Sequence, residues 1–135
     1  MPAISSVLLS ASLMLGGLLG IYETGKTESM EKPVVRLAEL EIDPNQTQAY
    51  QAALKEEIET SIRSEPGVLT LYAVSLKEHP TQIRIFERYA SRAAYEAHLQ
   101  SAHFQKYKRE TQNMVSSLRL IETDPIYLGS KGDPH

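Results

Sequence analysis

The sequence predicts one α+β domain of order β-α-β-β-α-β, an antiparallel sheet with its helices on one face. Three observations carry this. Stretches that alternate apolar and polar with period two are separated by stretches with apolar residues every three or four positions. Turn and capping residues stand at the junctions. The length, 135 residues, suits one domain and is too short for two of ordinary size. With 41% hydrophobic and 23% charged residues the composition is that of a globular protein. A net charge of −3 argues against a nucleic-acid partner, which needs a clustered basic surface. The absence of Cys excludes disulfides, thiolate nucleophiles and Cys-ligated metal centres.

The chain starts with a segment unlike the rest. Met1 to Tyr22 carries no charged residue, and Val7 to Tyr22 is an apolar run of 16 residues. A comfortable membrane span needs roughly 20. The run fits an export signal or a short membrane tether, although no Lys or Arg precedes it and no A-x-A-like site follows. It places the protein in the periplasm, outside the cell or on a membrane. A packed helix, or a start at Met30 that leaves the protein cytoplasmic, are the alternatives. Residues 1–29 are therefore read as signal or anchor plus polar linker, 30–127 as the folded domain and 128–135 as a flexible tail.

Within the domain, Val34 to Ile42 alternates as a strand. Asp43-Pro44-Asn45-Gln46 is a helix start, with Asp as cap and Pro at the first helical position. That helix is expected to reach Ser64, with Tyr50, Leu54, Ile58 and Ile62 as its apolar stripe, and to stop at Glu65-Pro66-Gly67. Val68 to Leu76 and Thr81 to Tyr89 form a hairpin about the turn Lys77-Glu78-His79-Pro80. Ser91 caps a short helix through Leu99, and Ser101 caps another whose buried face is Phe104, Tyr107, Thr111, Met114 and Leu118. A strand from about Ser117 to Ile126 closes the pattern. This is the ferredoxin-like split unit. Its second sheet face also carries apolar residues and has no cover, which predicts a homodimer packed sheet on sheet.

Three stretches resemble a known family: Glu65-Pro66-Gly67-Val68, then Phe86-Glu87-Arg88-Tyr89, then Tyr95-Glu96-Ala97-His98-Leu99-Gln100-Ser101-Ala102-His103-Phe104. They are similar to the antibiotic biosynthesis monooxygenase (ABM) superfamily, nearest to its quinol monooxygenase subgroup, over about Val34 to Ile126. The resemblance implies a dimeric α+β barrel with an apolar pocket in each subunit. It also implies, for several members, oxidation of phenolic or quinol-type aromatics by O2 with no metal or flavin. Other members degrade haem, isomerise small metabolites or have no known activity. The haem degraders carry Asn, Trp and His where Leu40, His98 and Lys108 stand here, so a haem site does not fit.

His98 and His103 are the first candidates for catalysis, since imidazole titrates nearest neutral pH and can act as a general base. Glu39 and Glu87 stand mid-strand among apolar neighbours, where a desolvated carboxylate becomes a stronger base. Tyr72, Tyr89, Tyr107 and Phe104 are the candidates for holding an aromatic substrate. Two His without a nearby carboxylate motif predict no metal, and no cofactor is expected. The leading expectation is a cofactor-free monooxygenase acting on a small aromatic and O2. An isomerase or tautomerase of a small carbonyl compound, or a non-catalytic dimer that binds small aromatics, are the rivals.

Overall fold

Alternation in the first strand decides which side of the sheet is dry. In the computed structural model, which describes residues 31–132, β1 (Val34–Ile42) buries Arg36, Ala38, Leu40 and Ile42 and leaves the residues between them half-buried. The signal, anchor and linker expected over residues 1–29 lie outside the described residues, as does the end of the tail.

Asp43 accepts a hydrogen bond from the Asn45 amide and caps a 3-10 turn at Pro44–Gln46, which leads into α1 (Thr47–Ser64). Next come β2 (Val68–Leu76), β3 (His79–Tyr89), α2 (Arg92–Gln100), α3 (Ala102–Thr111) and β4 (Val115–Glu122). The order is β-α-β-β-α-α-β, and the four strands run antiparallel as β2-β3-β1-β4. The expected ferredoxin-like architecture is present, its second helical position filled by two short helices.

β1 pairs Ala38 with Ile85 and Leu40 with Ile83 on β3, and the same two residues with Leu120 and Leu118 on β4. Tyr50 and Leu54 of α1 pack on this face, with Ile58 and Tyr107 at the margin. A second cluster forms where Val68, Leu71 and Tyr89 meet Tyr95 of α2.

Three boundaries differ from the sequence expectation. β3 begins at His79, which reduces the turn to Lys77-Glu78. α3 stops at Thr111, because the Met114 amide turns back to the Thr111 carbonyl and the Asp43 amide takes the Met114 carbonyl. Met114 therefore lies in a turn, and Leu118 lies in β4, which starts at Val115 and ends at Glu122. Third, the buried stripe of α1 is Tyr50, Leu54, Glu57 and Ser61, whereas Ile62 is 48% exposed. A helix turns ~100° per residue, so spacing by four precesses ~40° each step and carries the apolar series off the buried face by Ile62.

The opposite sheet face carries no helix. It exposes Tyr72, Val74 and Phe86, with Leu37 and Ile121 half-buried between them. Glu39 belongs to this face, where it pairs with Arg84 at 3.7 Å and Arg119 at 4.0 Å.

Candidate active site

The last two turns of α1 and the residue that caps it supply three polar groups, Glu57, Ser61 and Glu65, four residues apart. On a helix this spacing stacks side chains on one side. The Glu65 amide bonds the Ser61 carbonyl, and Pro66-Gly67 then takes the chain into β2. Gly67 lies against α2 so closely that a Cβ there would stand 2.5 Å from the Ala94 Cβ. This contact draws the end of α1 to the helix that bears His98.

Ser91 caps α2 by accepting the Ala94 amide, and Ser101 caps α3 by accepting the Phe104 amide. The Ser101 amide and hydroxyl both donate to the His98 carbonyl. The break between α2 and α3 is thus fixed, and it aims both imidazoles at Glu65. His98 Nδ1 lies 2.8 Å from Glu65 Oε2 and His103 Nε2 lies 2.7 Å from the same oxygen. On its other side His98 Nε2 faces Glu57 Oε1 at 3.5 Å, and Ser61 donates to that Glu57 oxygen at 2.6 Å. His98 is 2% exposed and Glu57 6%.

The two carboxylates behave oppositely. Burial raises the pKa of Glu57, and the Ser61 hydrogen bond and the two imidazoles only partly offset it. Burial would raise Glu65 too, but its hydrogen bonds to His98 and His103 prevail and hold it below the ordinary carboxylate value. Glu65 is therefore an ionised acceptor, to which both imidazoles donate.

A cavity of about 330 Å³ opens between the sheet and the helices. His98, Glu57 and Glu87 stand in its wall, with Phe104 and Tyr107 beside them. Arg36 forms part of its sheet side, stacked at 4.5 Å on the Tyr95 ring and paired with Glu122 at 3.2 Å. Leu118 and Leu120 of β4 line the cavity and remain about half exposed. The Tyr107 hydroxyl meets the Tyr50 hydroxyl at 2.7 Å, and burial raises both phenols.

Of the residues singled out in the sequence, His98, Glu87, Phe104 and Tyr107 are brought to one cavity. His103 stands behind Glu65 rather than in the wall. Tyr89 is fully buried, donates to Glu87 at 2.8 Å and packs on the His98 ring at 5.4 Å. Two of the candidates lie away from this cavity. Tyr72 is 66% exposed on the helix-free face, since β2 places Leu71, not Tyr72, towards the cavity. Glu39 occupies the same helix-free face by strand alternation, held by two arginines and remote from the cavity. Glu57 and Glu65 were missed. Glu57 sits in the run Glu56-Glu57-Ile58-Glu59, which reads as a solvated face, and Glu65 reads as a helix stop. The one available signal was the spacing of Glu57, Ser61 and Glu65.

Glu57, His98 and His103 each offer a ligand atom within 4.8 Å of the others, the one group of this kind among the described residues.

The family model of the antibiotic biosynthesis monooxygenases matches residues 33–110. The chain belongs to this family. A crystal structure of a candidate ABM protein from Bacteroides thetaiotaomicron is 49% identical, with a TM-score of 0.72 over 76% of this chain and 97% of its own. A candidate monooxygenase from Lactobacillus acidophilus is 30% identical with a TM-score of 0.65, over 67% of this chain and 43% of that one. A Mycobacterium tuberculosis protein at 24% identity, with a TM-score of 0.66 over 73% of this chain and all of its own, shares the fold. No curated protein matches the chain. ABM membership and these relatives support a monooxygenase-like, oxidoreductase function.

Proposed function

We propose that this ABM protein oxidises a small electron-rich aromatic of the quinol, naphthol or phenol type with O2, using no cofactor, with His98 as the base. The observation that carries this reading is the cavity of about 330 Å³, which has His98 and Glu57 in one wall and apolar and aromatic side chains around them. Its volume falls at the small end of ligand pockets, which run from roughly 300 Å³ upward, and suits one or two fused rings.

The Glu65 carboxylate takes the Nδ1 hydrogen of His98 and leaves Nε2 to accept a proton on the Glu57 side. The substrate hydroxyl gives its proton to Nε2. The imidazolium then lies between two carboxylates, which stabilise it. The aromatic anion passes an electron to O2, and the radical pair recombines at a ring carbon. One oxygen atom stays on the ring and the other leaves as water with the two hydrogens that the substrate loses. Phe104 and Tyr107 hold the ring, and the apolar walls keep the anion dry.

The test is oxygen uptake by the purified full-length chain against a panel of hydroquinones and naphthols. Uptake is expected in the wild type and a fall of about 10²–10⁴-fold in His98→Ala. An absence of uptake across the panel would overturn the reading. Turnover of a carbonyl substrate without O2 would move the same base to isomerisation.

The working form is a homodimer packed through the helix-free sheet face. Tyr72, Val74 and Phe86 form an exposed apolar surface there that a second copy would cover.

A further inference from the structure

We propose that Glu57, His98 and His103 form a binding site for a divalent transition-metal cation of the zinc type. The Glu65 carboxylate accepts from His98 Nδ1 at 2.8 Å, which leaves Nε2 as the ring nitrogen able to offer a lone pair to a metal. That lone pair faces Glu57 Oε1 at 3.5 Å, with both residues buried. A buried imidazole nitrogen and a buried carboxylate oxygen that face each other need a positive centre between them, which a shared proton supplies in the free protein and a metal cation can supply by displacing it. Zinc binds His nitrogen at ~2.0–2.1 Å and carboxylate oxygen at ~2.0–2.2 Å, and in tetrahedral geometry two such ligands sit ~3.4 Å apart. The observed separation needs almost no adjustment. Ligand atoms of Glu57, His98 and His103, one from each, lie within 4.8 Å of one another, and a cation taking His103 Nε2 displaces its 2.7 Å hydrogen bond to Glu65.

The surroundings match what metal sites require. Glu65 holds the far nitrogen of His98, the carboxylate–histidine arrangement that orients a ligand imidazole. Ser61 fixes the Glu57 carboxylate by its 2.6 Å hydrogen bond. Two imidazoles and one carboxylate favour zinc, cobalt, nickel or iron over magnesium and calcium, which take oxygen ligands. Three protein ligands leave a fourth position open, and His98 and Glu57 lie in the cavity wall. Cation binding does not rest on the monooxygenase reading. Where that reading holds, metal on Nε2 occupies the base, so the cation inhibits turnover.

The experiment is a titration of the untagged full-length chain with Co²⁺, a spectroscopic stand-in for zinc, followed by visible absorption and calorimetry with no substrate present. One cobalt per chain with ligand-field bands of a His-containing, low-coordinate site is expected, displaced by Zn²⁺. His103→Ala and E57Q, each checked for its fold by circular dichroism, should weaken binding by at least about tenfold, since even outer groups around a metal contribute 10–100-fold. A wild-type chain that takes up no cobalt overturns the proposal without any variant. So does binding that both variants leave unchanged, which would put the ion elsewhere. Because no turnover is measured, failure here leaves the oxygen-uptake test standing, and failure there leaves this one standing.

Discussion

Glu65 is the residue on which the candidate site turns. One carboxylate oxygen accepts from two imidazoles. In Glu65→Gln the charge is gone and the amide nitrogen brings donors of its own to a place where two donors already converge. That change should lower stability by ~1–3 kcal/mol, the cost of leaving buried polar groups poorly matched. Chemical denaturation at neutral pH reads it directly. A variant as stable as the wild type would show that the imidazoles do not depend on this carboxylate. The sign with pH follows from the same contacts. Since Glu65 is held below its ordinary value, its contribution is present above the carboxylate range of the unfolded chain and is lost as pH falls through the folded value.

At the scale of elements, the approach of β2 to α2 is the contact that assembles the site. Gly67→Ala places a methyl group 2.5 Å from the Ala94 Cβ, and both atoms belong to backbone-bound groups that cannot swing away. Overpacking of this kind costs about 1–3 kcal/mol. Thermal unfolding should show the loss, and adding Ala94→Gly in the same chain should recover part of it. An unchanged transition in the single variant would show that the turn relaxes freely. Elements were legible in the sequence where one pattern dominates: alternation in β1, and capping serines ahead of α2 and α3. His98, Glu87, Phe104 and Tyr107, singled out from these patterns, line one cavity. Glu57 was illegible because hydropathy ranks a glutamate as solvent-facing, whereas burial follows helix phase. Glu39 misled for the converse reason. Alternation tells that it shares a face with Leu37 and Glu41, but not which face the helices cover; that depends on long-range packing.

For the whole molecule, two expectations follow. Phe86→Glu puts a charge in the middle of the helix-free face, so sedimentation should show a dimer for the wild type and a monomer for the variant. A wild-type monomer at micromolar concentration would remove the dimer from the proposal. The second concerns alkaline pH. Burial raises the phenols of Tyr50, Tyr89 and Tyr107 above their ordinary value. A raised folded value means that the stabilising effect is complete below ~pH 10 and drains away as pH climbs beyond it, because the unfolded chain releases those protons first. Ultraviolet titration should therefore show three of the seven tyrosines resisting ionisation until the chain unfolds. Reversible ionisation of all seven with the fold intact would contradict the burial described.

The cavity is built from two kinds of material. Its buried imidazole, His98, and the carboxylates on either side of it, Glu57 and Glu65, come from the helical layer, whereas the far wall of Leu118 and Leu120 comes from β4, an edge strand. The chemistry and the shape of the site are therefore free to change independently. Mutation along β4 can remould the room a ligand occupies while leaving untouched the partners of the imidazole. A scaffold divided in this way can wander across many ring systems over evolutionary time, keeping one reactive wall and redrawing the other.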